Sequence, residues 1–327
     1  MQLKFILKVL LVLISLGVVA VGMLFISIDH RNKTLIYQGE NGIWLSHRWV
    51  GEPVAPLKVD SLIENLRKTR IYHVFAHAGP LNADGNIPSH RYPYASDFIN
   101  IIKSDYAELV SVQAWIGQIE KRGGGRLDIS DSGVRSNIAS TSAEMIELGF
   151  DGIHLDIEPI YNQDEYFLLL LAEIRDSLGE DKILSVACPK ISLGKAFHLG
   201  AQIFSVSGLW TPGYYREVSG YTDYNVAMLY DTGIQQVWLY QLFIALELVQ
   251  LTHSAHKPVL IGIPSYEDEK KSFNPRVENL VHALNGISGG LDHANQSYYL
   301  GISIYADWTT DQQEWDYLHQ YFKLSPQ

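Results

Sequence analysis

Phe150-Asp151-Gly152-Ile153-His154-Leu155-Asp156-Ile157-Glu158-Pro159 reads as a buried β-strand that carries acids where a strand is normally apolar. Side chains alternate faces along a strand, so His154, Asp156 and Glu158 share one face while Ile153, Leu155 and Ile157 share the other. Buried carboxylates are costly unless paired or hydrogen-bonded. Two explanations fit. One is a structural ion-pair or hydrogen-bond network inside an α/β protein. The other is a catalytic pair, in which the surroundings split two carboxyls into a general acid and an electrostatic partner. Pro159 stops the strand directly after Glu158, so that carboxyl stands at the strand end.

Strand-like and helix-like stretches alternate around this segment. Strands are expected at 42–49, 71–78, 109–117, 152–158, 183–189, 225–230, 259–264 and 300–305. Helices are expected at 61–68, 142–148, 164–178, 236–253, 276–284 and 312–322. Strands each followed by helix-like sequence predict a (β/α)8 TIM barrel over residues 41–327. A doubly wound open sheet is the alternative, but it normally places a Gly-rich phosphate turn after its first strand. Gly123-Gly124-Gly125 follows the third strand instead and lacks that fingerprint. Barrel enzymes carry their chemistry at the C-terminal ends of the strands, so partners for Glu158 belong at the other strand ends.

Three motifs in order resemble glycoside hydrolase family 18, the chitinase-like family. Its fourth-strand signature D-G-x-D-x-D-x-E appears as Asp151-Gly152-Ile153-His154-Leu155-Asp156-Ile157-Glu158. Its sixth-strand M-x-Y-D appears as Met228-Leu229-Tyr230-Asp231, and its seventh-strand G-x-P-x-Y as Gly262-Ile263-Pro264-Ser265-Tyr266. The departure is His154, which stands where the family has its second Asp, a residue that helps set the charge and orientation of the middle Asp. A histidine can hold Asp156 by donating an N–H and can carry charge near neutral pH. It can equally be a packing substitution in a protein that no longer cleaves sugars.

A glycosidic oxygen is a poor leaving group and needs a proton, which a carboxylic acid of raised pKa can supply. The resemblance implies substrate-assisted retaining catalysis, in which the substrate's own acetamido carbonyl attacks the anomeric carbon. It makes Glu158 the acid and then the base. Asp156 orients the acetamido N–H, and Tyr230 donates its hydroxyl to the acetamido oxygen. Asp231 hydrogen-bonds the sugar or Asp156, and Met228 and Tyr266 are further substrate-binding residues. Asp151 and His154 are supporting residues. The family's eighth-strand pocket-floor Trp aligns with Tyr305, and Trp308 is the alternative reaching back from the loop. The implied partner is an N-acetylated polysaccharide or oligosaccharide, with no metal or organic cofactor.

Other polar strand residues are weaker candidates. His73 and His77 share a strand face about 13 Å apart, too far to chelate one metal, so interior hydrogen bonding is the simpler reading. Gln113 lies on the third strand, and Trp210 is a candidate groove residue. About 33 residues separate Tyr266 from Leu300. This is too short for the α+β module that many chitinases of this family insert there, and it implies a shallower cleft.

Charge and composition narrow the partners. A formal net charge of -11 argues against a nucleic-acid partner. The single Cys188 excludes an intrachain disulfide and a thiolate metal site. Lys4 and Lys8 precede an apolar run at 9–27, about the length that spans a bilayer. We read 1–27 as a transmembrane signal anchor, 28–40 as a tether and 41–327 as the barrel. The chain is then a single-pass protein of the cell membrane with its barrel outside the cytoplasm. A cleaved signal peptide, which would release the barrel, is the rival, although Val18-Val19-Ala20 is a poor cleavage site. The expectation is a glycosidase acting on chitin-like or peptidoglycan-like glycans that contain N-acetylglucosamine. A non-catalytic, lectin-like sugar-binding barrel is the alternative.

Overall fold

A computed structural model describes residues 39–192 and 209–323. The strands are β1 (Asn41–Leu45), β2 (Ile71–His77), β3 (Ser111–Ile119), β4 (Gly152–Glu158), β5 (Ile183–Cys188), β6 (Lys190–Ile191), β7 (Leu209–Trp210), β8 (Tyr224–Met228), β9 (Val259–Pro264) and β10 (Tyr299–Tyr305). All but β6 and β7 form one closed parallel barrel, in which β10 returns to pair with β1. β6 and β7 pair with each other just beyond β5. The described helices are α1 (Arg48–Gly51), α2 (Pro56–Lys68), α3 (Ala95–Asp105), α4 (Ser132–Glu147), α5 (Glu165–Leu178), α6 (Pro212–Ser219), α7 (Val237–Ser254), α8 (Leu280–Gly290) and α9 (Gln312–Lys323).

The alternation in β4 sorts its side chains as expected. Ile153, Leu155 and Ile157 join the large apolar layer between strands and helices. His154 points into the barrel and stacks on Phe75, with ring centroids 4.0 Å apart. The barrel interior has its own apolar cluster of Trp44, Phe75, Trp115, Tyr224, Val226 and Leu260. α5 shows why such helices form. Asp164 caps its start by accepting the N–H groups of Tyr166 and Phe167. Phe167, Leu170, Leu171 and Ile174 then follow at the spacing of one buried face.

A polar chain fills the lower barrel. The Ser185 hydroxyl donates to Gln113 Oε1 at 2.7 Å. The Gln113 amide donates to Ser111 Oγ at 3.0 Å and to the Tyr224 hydroxyl. His73 bridges Ser111 Oγ at 2.9 Å and Glu40 Oε2 at 3.1 Å. Each link supplies one donor and one acceptor, so this buried row is satisfied without a metal. His77 packs against Trp115 at the upper end of β2, with ring centroids 4.4 Å apart.

The departures from expectation lie mostly in the helices. The first strand ends at Leu45 rather than near 49, because Arg48–Gly51 turns into α1. α3 was not expected, although Ala95, Phe98, Ile99 and Ile102 line one buried face. Tyr94 makes no side-chain cap there, so the start signal is missing. α6 was also not expected, although Thr211 caps it and Pro212 opens it. α4 begins at Ser132 rather than 142, because its first half is polar and only Asp131 marks the start by accepting the Gly133 N–H. Asn279 likewise places the start of α8 at Leu280 rather than 276.

The apolar run at 9–27 lies outside the described residues, as does nearly all of the tether at 28–40. Among the described residues, no helix is long and apolar enough to cross a membrane. Between β9 and β10 the chain contributes a loop, α8 and the short turn Gln296–Tyr298, with no inserted α+β module.

Candidate active site

The C-terminal ends of the strands open into a cavity of about 800 Å³. Asp156 and Glu158 come from β4, Met228 and Tyr230-Asp231 from the end of β8, Tyr266 from beyond β9, and Tyr305 and Trp308 from the end of β10. All of these residues line the one cavity. Asp151 does not. It sits before β4, where its carboxylate pairs with Lys103 at 2.6 Å and accepts the Val112 N–H at 2.8 Å. It therefore ties the foot of β4 to β3 and α3.

Asp156 is held by Trp115. The indole N–H donates to Asp156 Oδ2 at 2.9 Å. Asp156 Oδ1 is buried with no partner among the described residues. Burial first, and the charge of Glu158 second, push Asp156 up to about 8. Glu158 keeps an exposed edge at the mouth. Burial of its carboxyl raises its pKa, Lys190 opposes that rise, and Asp231 adds to it. Burial thus favours the neutral form of both carboxyls, and the charge of each bears on the other's titration.

His154 corrects one expectation. It does not hold Asp156. The Trp44 indole donates to His154 Nε2 at 3.0 Å, so that nitrogen is an acceptor. Nδ1 therefore carries the proton and donates to Ser185 Oγ at 2.8 Å. Burial drives its pKa down to about 3, so it is a neutral imidazole that carries no charge near pH 7. The N–H that reaches Asp156 comes instead from Trp115 on the neighbouring strand.

The aromatic wall is layered. Tyr305 stacks on Tyr230, with centroids 5.3 Å apart and planes 24° apart. Trp308 stands edge-on to Tyr305 at 5.5 Å and stacks parallel to Trp115 at 6.3 Å. Tyr305 and Trp308 both stand in this wall. Trp44 lies beneath, edge-on to Tyr305 at 5.5 Å and almost wholly buried. Burial keeps the Tyr230 hydroxyl protonated far above neutral pH, so it remains a donor. Asp231 accepts the Tyr266 hydroxyl at 3.0 Å, which gives it a tyrosine partner rather than Asp156. Trp210 also lines the cavity, with its indole donating to the Ile160 carbonyl at 2.9 Å.

Four site residues escaped the sequence reading. Trp115 alternates with Gln113 on the inward face of β3, a signal that was present. Gly117 sits opposite Asp156, and a Cβ there would lie 2.0 Å from the Asp156 carbonyl oxygen. A glycine inside a strand is the usual mark of such close approach. Lys190 and Glu247 also line the cavity, and no motif announces them. Among the described residues, no cluster of His, Cys, Asp and Glu is arranged to hold a metal.

Fold and cavity together define a (β/α)8 barrel with paired acids and an aromatic wall at its C-terminal mouth. No family model matches the chain, and no curated protein matches it. Solved structures do. The spore cortex-lytic enzyme SleL of Bacillus cereus matches at 12% identity and TM-score 0.59, over 86% of this chain and 73% of that one. A chitinase of Rhizomucor miehei matches at 14% identity and TM-score 0.57, over 86% of this chain and 99% of that one. A chitinase of Chromobacterium violaceum gives 14% identity and TM-score 0.57, over 86% and 98%. The chain has the chitinase-like barrel fold, and at these identities the likeness is one of fold.

Proposed function

We propose that the protein is a glycoside hydrolase of the family 18 type, acting on glycans that contain N-acetylglucosamine. The observation that carries this reading is convergence: Asp156, Glu158 and Tyr230, from two different strands, line one solvent-reached cavity at the barrel mouth. The fold shared with chitinases and with a cortex-lytic enzyme supports it. In this reading Glu158 protonates the glycosidic oxygen, the acetamido oxygen of the substrate bonds to the anomeric carbon, and the C–O bond to the leaving group breaks. Asp156, steadied by Trp115, accepts the acetamido N–H through the oxygen that has no protein partner. Tyr230 donates to the acetamido oxygen, and the stacked aromatics hold the sugar ring. Water then bonds to the anomeric carbon as Glu158 takes its proton and the bond to the acetamido oxygen breaks, giving net retention.

Release of label from short N-acetylglucosamine oligomers tests this. Glu158→Gln should lose at least about a hundredfold in kcat while still binding the oligomer. Equal, negligible turnover by both proteins with sugar binding intact would establish the lectin-like alternative instead. The sequence alone supports a further proposal: the run at 9–27 anchors the barrel outside the membrane. Fractionation and protease accessibility of the full chain would test it, and a protease-protected barrel or a soluble full-length chain would sink it.

A further inference from the structure

Lys190 is a cation of the cavity wall that the proposed mechanism leaves unused. Pro189 follows β5 and brings Lys190 into the wall of the cavity. Its backbone is pinned on both sides. Lys190 pairs with Leu209 in the β6–β7 ribbon, the Ser192 N–H donates to the Trp210 carbonyl at 2.8 Å, and the Ile191 N–H donates to Glu247 at 3.1 Å. Among the described residues the Lys190 ammonium makes only a long 3.5 Å contact, to the Asp231 carbonyl. No carboxylate of the described residues lies within ion-pair distance of it. Burial lowers its pKa, and the charges of Asp231, Glu278, Glu158 and Glu247 oppose that fall and favour the cation. Its charge is therefore not committed to any one acid.

We propose that Lys190 is a positioning residue for Glu158, a fixed cation that stabilises the carboxylate formed as the proton leaves for the glycosidic oxygen. This rests on the hydrolase reading and deepens it. During that step the Glu158 O–H bond breaks and a bond forms from the proton to the leaving oxygen. The electron pair of the C–O bond stays with that oxygen, and Glu158 becomes an anion in a partly desolvated wall. Burial alone penalises that anion, whereas a cation already in place favours it without reorganisation. The groups facing the pair are known. Asp156 lies on the same strand, Tyr230 and Asp231 follow β8, and Tyr305 ends β10. Asp268 and Lys270 lie beyond β9, Glu247 on α7, and Glu278 before α8. β4 pairs with β5, so the strand ends that carry Glu158 and Lys190 are neighbours in the cavity wall. Burial and Asp231 push Glu158 towards its neutral form, and Lys190 pulls the other way.

The test joins pH–rate profiles to a direct titration. Wild type, Lys190→Met and Lys190→Arg are compared on labelled N-acetylglucosamine oligomers. In parallel, the Glu158 carboxyl is followed by 13C NMR and assigned by difference from Glu158→Gln. Removing the cation should move the alkaline limb and the Glu158 midpoint upward together by about one pH unit. It should also lower kcat about tenfold, because the acid is weaker. Lys190→Arg should restore both positions. Should Lys190→Met not fold, Lys190→Gln carries the same expectation. A folded variant that loses kcat with limb and midpoint unmoved would overturn the proposal. A wild-type protein with no turnover whose Glu158 midpoint still depends on Lys190 would refute the hydrolase reading and leave the electrostatic coupling standing.

Discussion

At position 154 an imidazole accepts from one indole through Nε2 and donates to a serine through Nδ1, while a second indole holds the nearby carboxylate. Two single-residue outcomes follow. Trp115→Phe keeps the ring and removes only the N–H to Asp156, a bond to a carboxyl group. It should lower kcat by about tenfold or more, with little change in Tm, and oligomer kinetics beside a thermal melt will check this. His154→Leu strands the Trp44 N–H inside the barrel and removes the donor to Ser185. It should cost about 1–3 kcal/mol in denaturant unfolding. Retained stability would mean that the Trp44–His154–Ser185 chain contributes little. The residue types at 156, 158 and 230 were legible as chemistry in the sequence. The partner of each was not, because a hydrogen bond across strands depends on register and rotamer.

At the scale of elements, the site depends on how closely β3 approaches β4. Gly117 pairs with Asp156, and the β4 backbone occupies the space where a side chain would begin. Gly117→Ala should push the strands apart, with loss of activity and a destabilisation of a few kcal/mol, read by kcat and denaturant midpoint. Gly124→Ala, in the loop after β3, meets nothing within 4 Å and carries only the cost of its φ of +90°. It should cost about 1 kcal/mol and leave kcat close to wild type. The expected strands match the observed ones closely because parallel barrel strands are short apolar runs broken by turns. The helices matched less well. α3 lacks a capping side chain, and the first half of α4 is too polar to show a face.

For the whole molecule, burial sets the pH response. His154 is driven down to about 3 and His77 to about 4, chiefly by desolvation. The folded state keeps these rings neutral where the unfolded chain binds protons, so stability is intact above about 6.5 and falls as pH drops towards 3. The contribution from His154 alone is on the order of 2 kcal/mol at pH 5. Asp156 and Glu247 act in the opposite sense. Both are raised to about 8, so each withdraws stability as pH climbs from about 4 towards 8. Denaturant unfolding from pH 7 to 4 should therefore show a shallower acid-side decline in His154→Gln than in wild type. Parallel curves would mean that His154 titrates normally in the folded protein.

The barrel, the strand carrying the acids and part of the cavity wall were written in the order of short apolar runs and in three local motifs. Alternation along a strand is a local property, and it alone sent Asp156 and Glu158 inward and Ile153, Leu155 and Ile157 outward. Only closure of the barrel decided what meets them. It brought the Trp115 indole to Asp156, turned His154 towards Trp44 and Ser185, and set Lys190 among acids drawn from β4, α7 and the loops after β8 and β9. These contacts join residues far apart in the chain. Their distances come from the packing of neighbouring strands and helices, which no local pattern encodes.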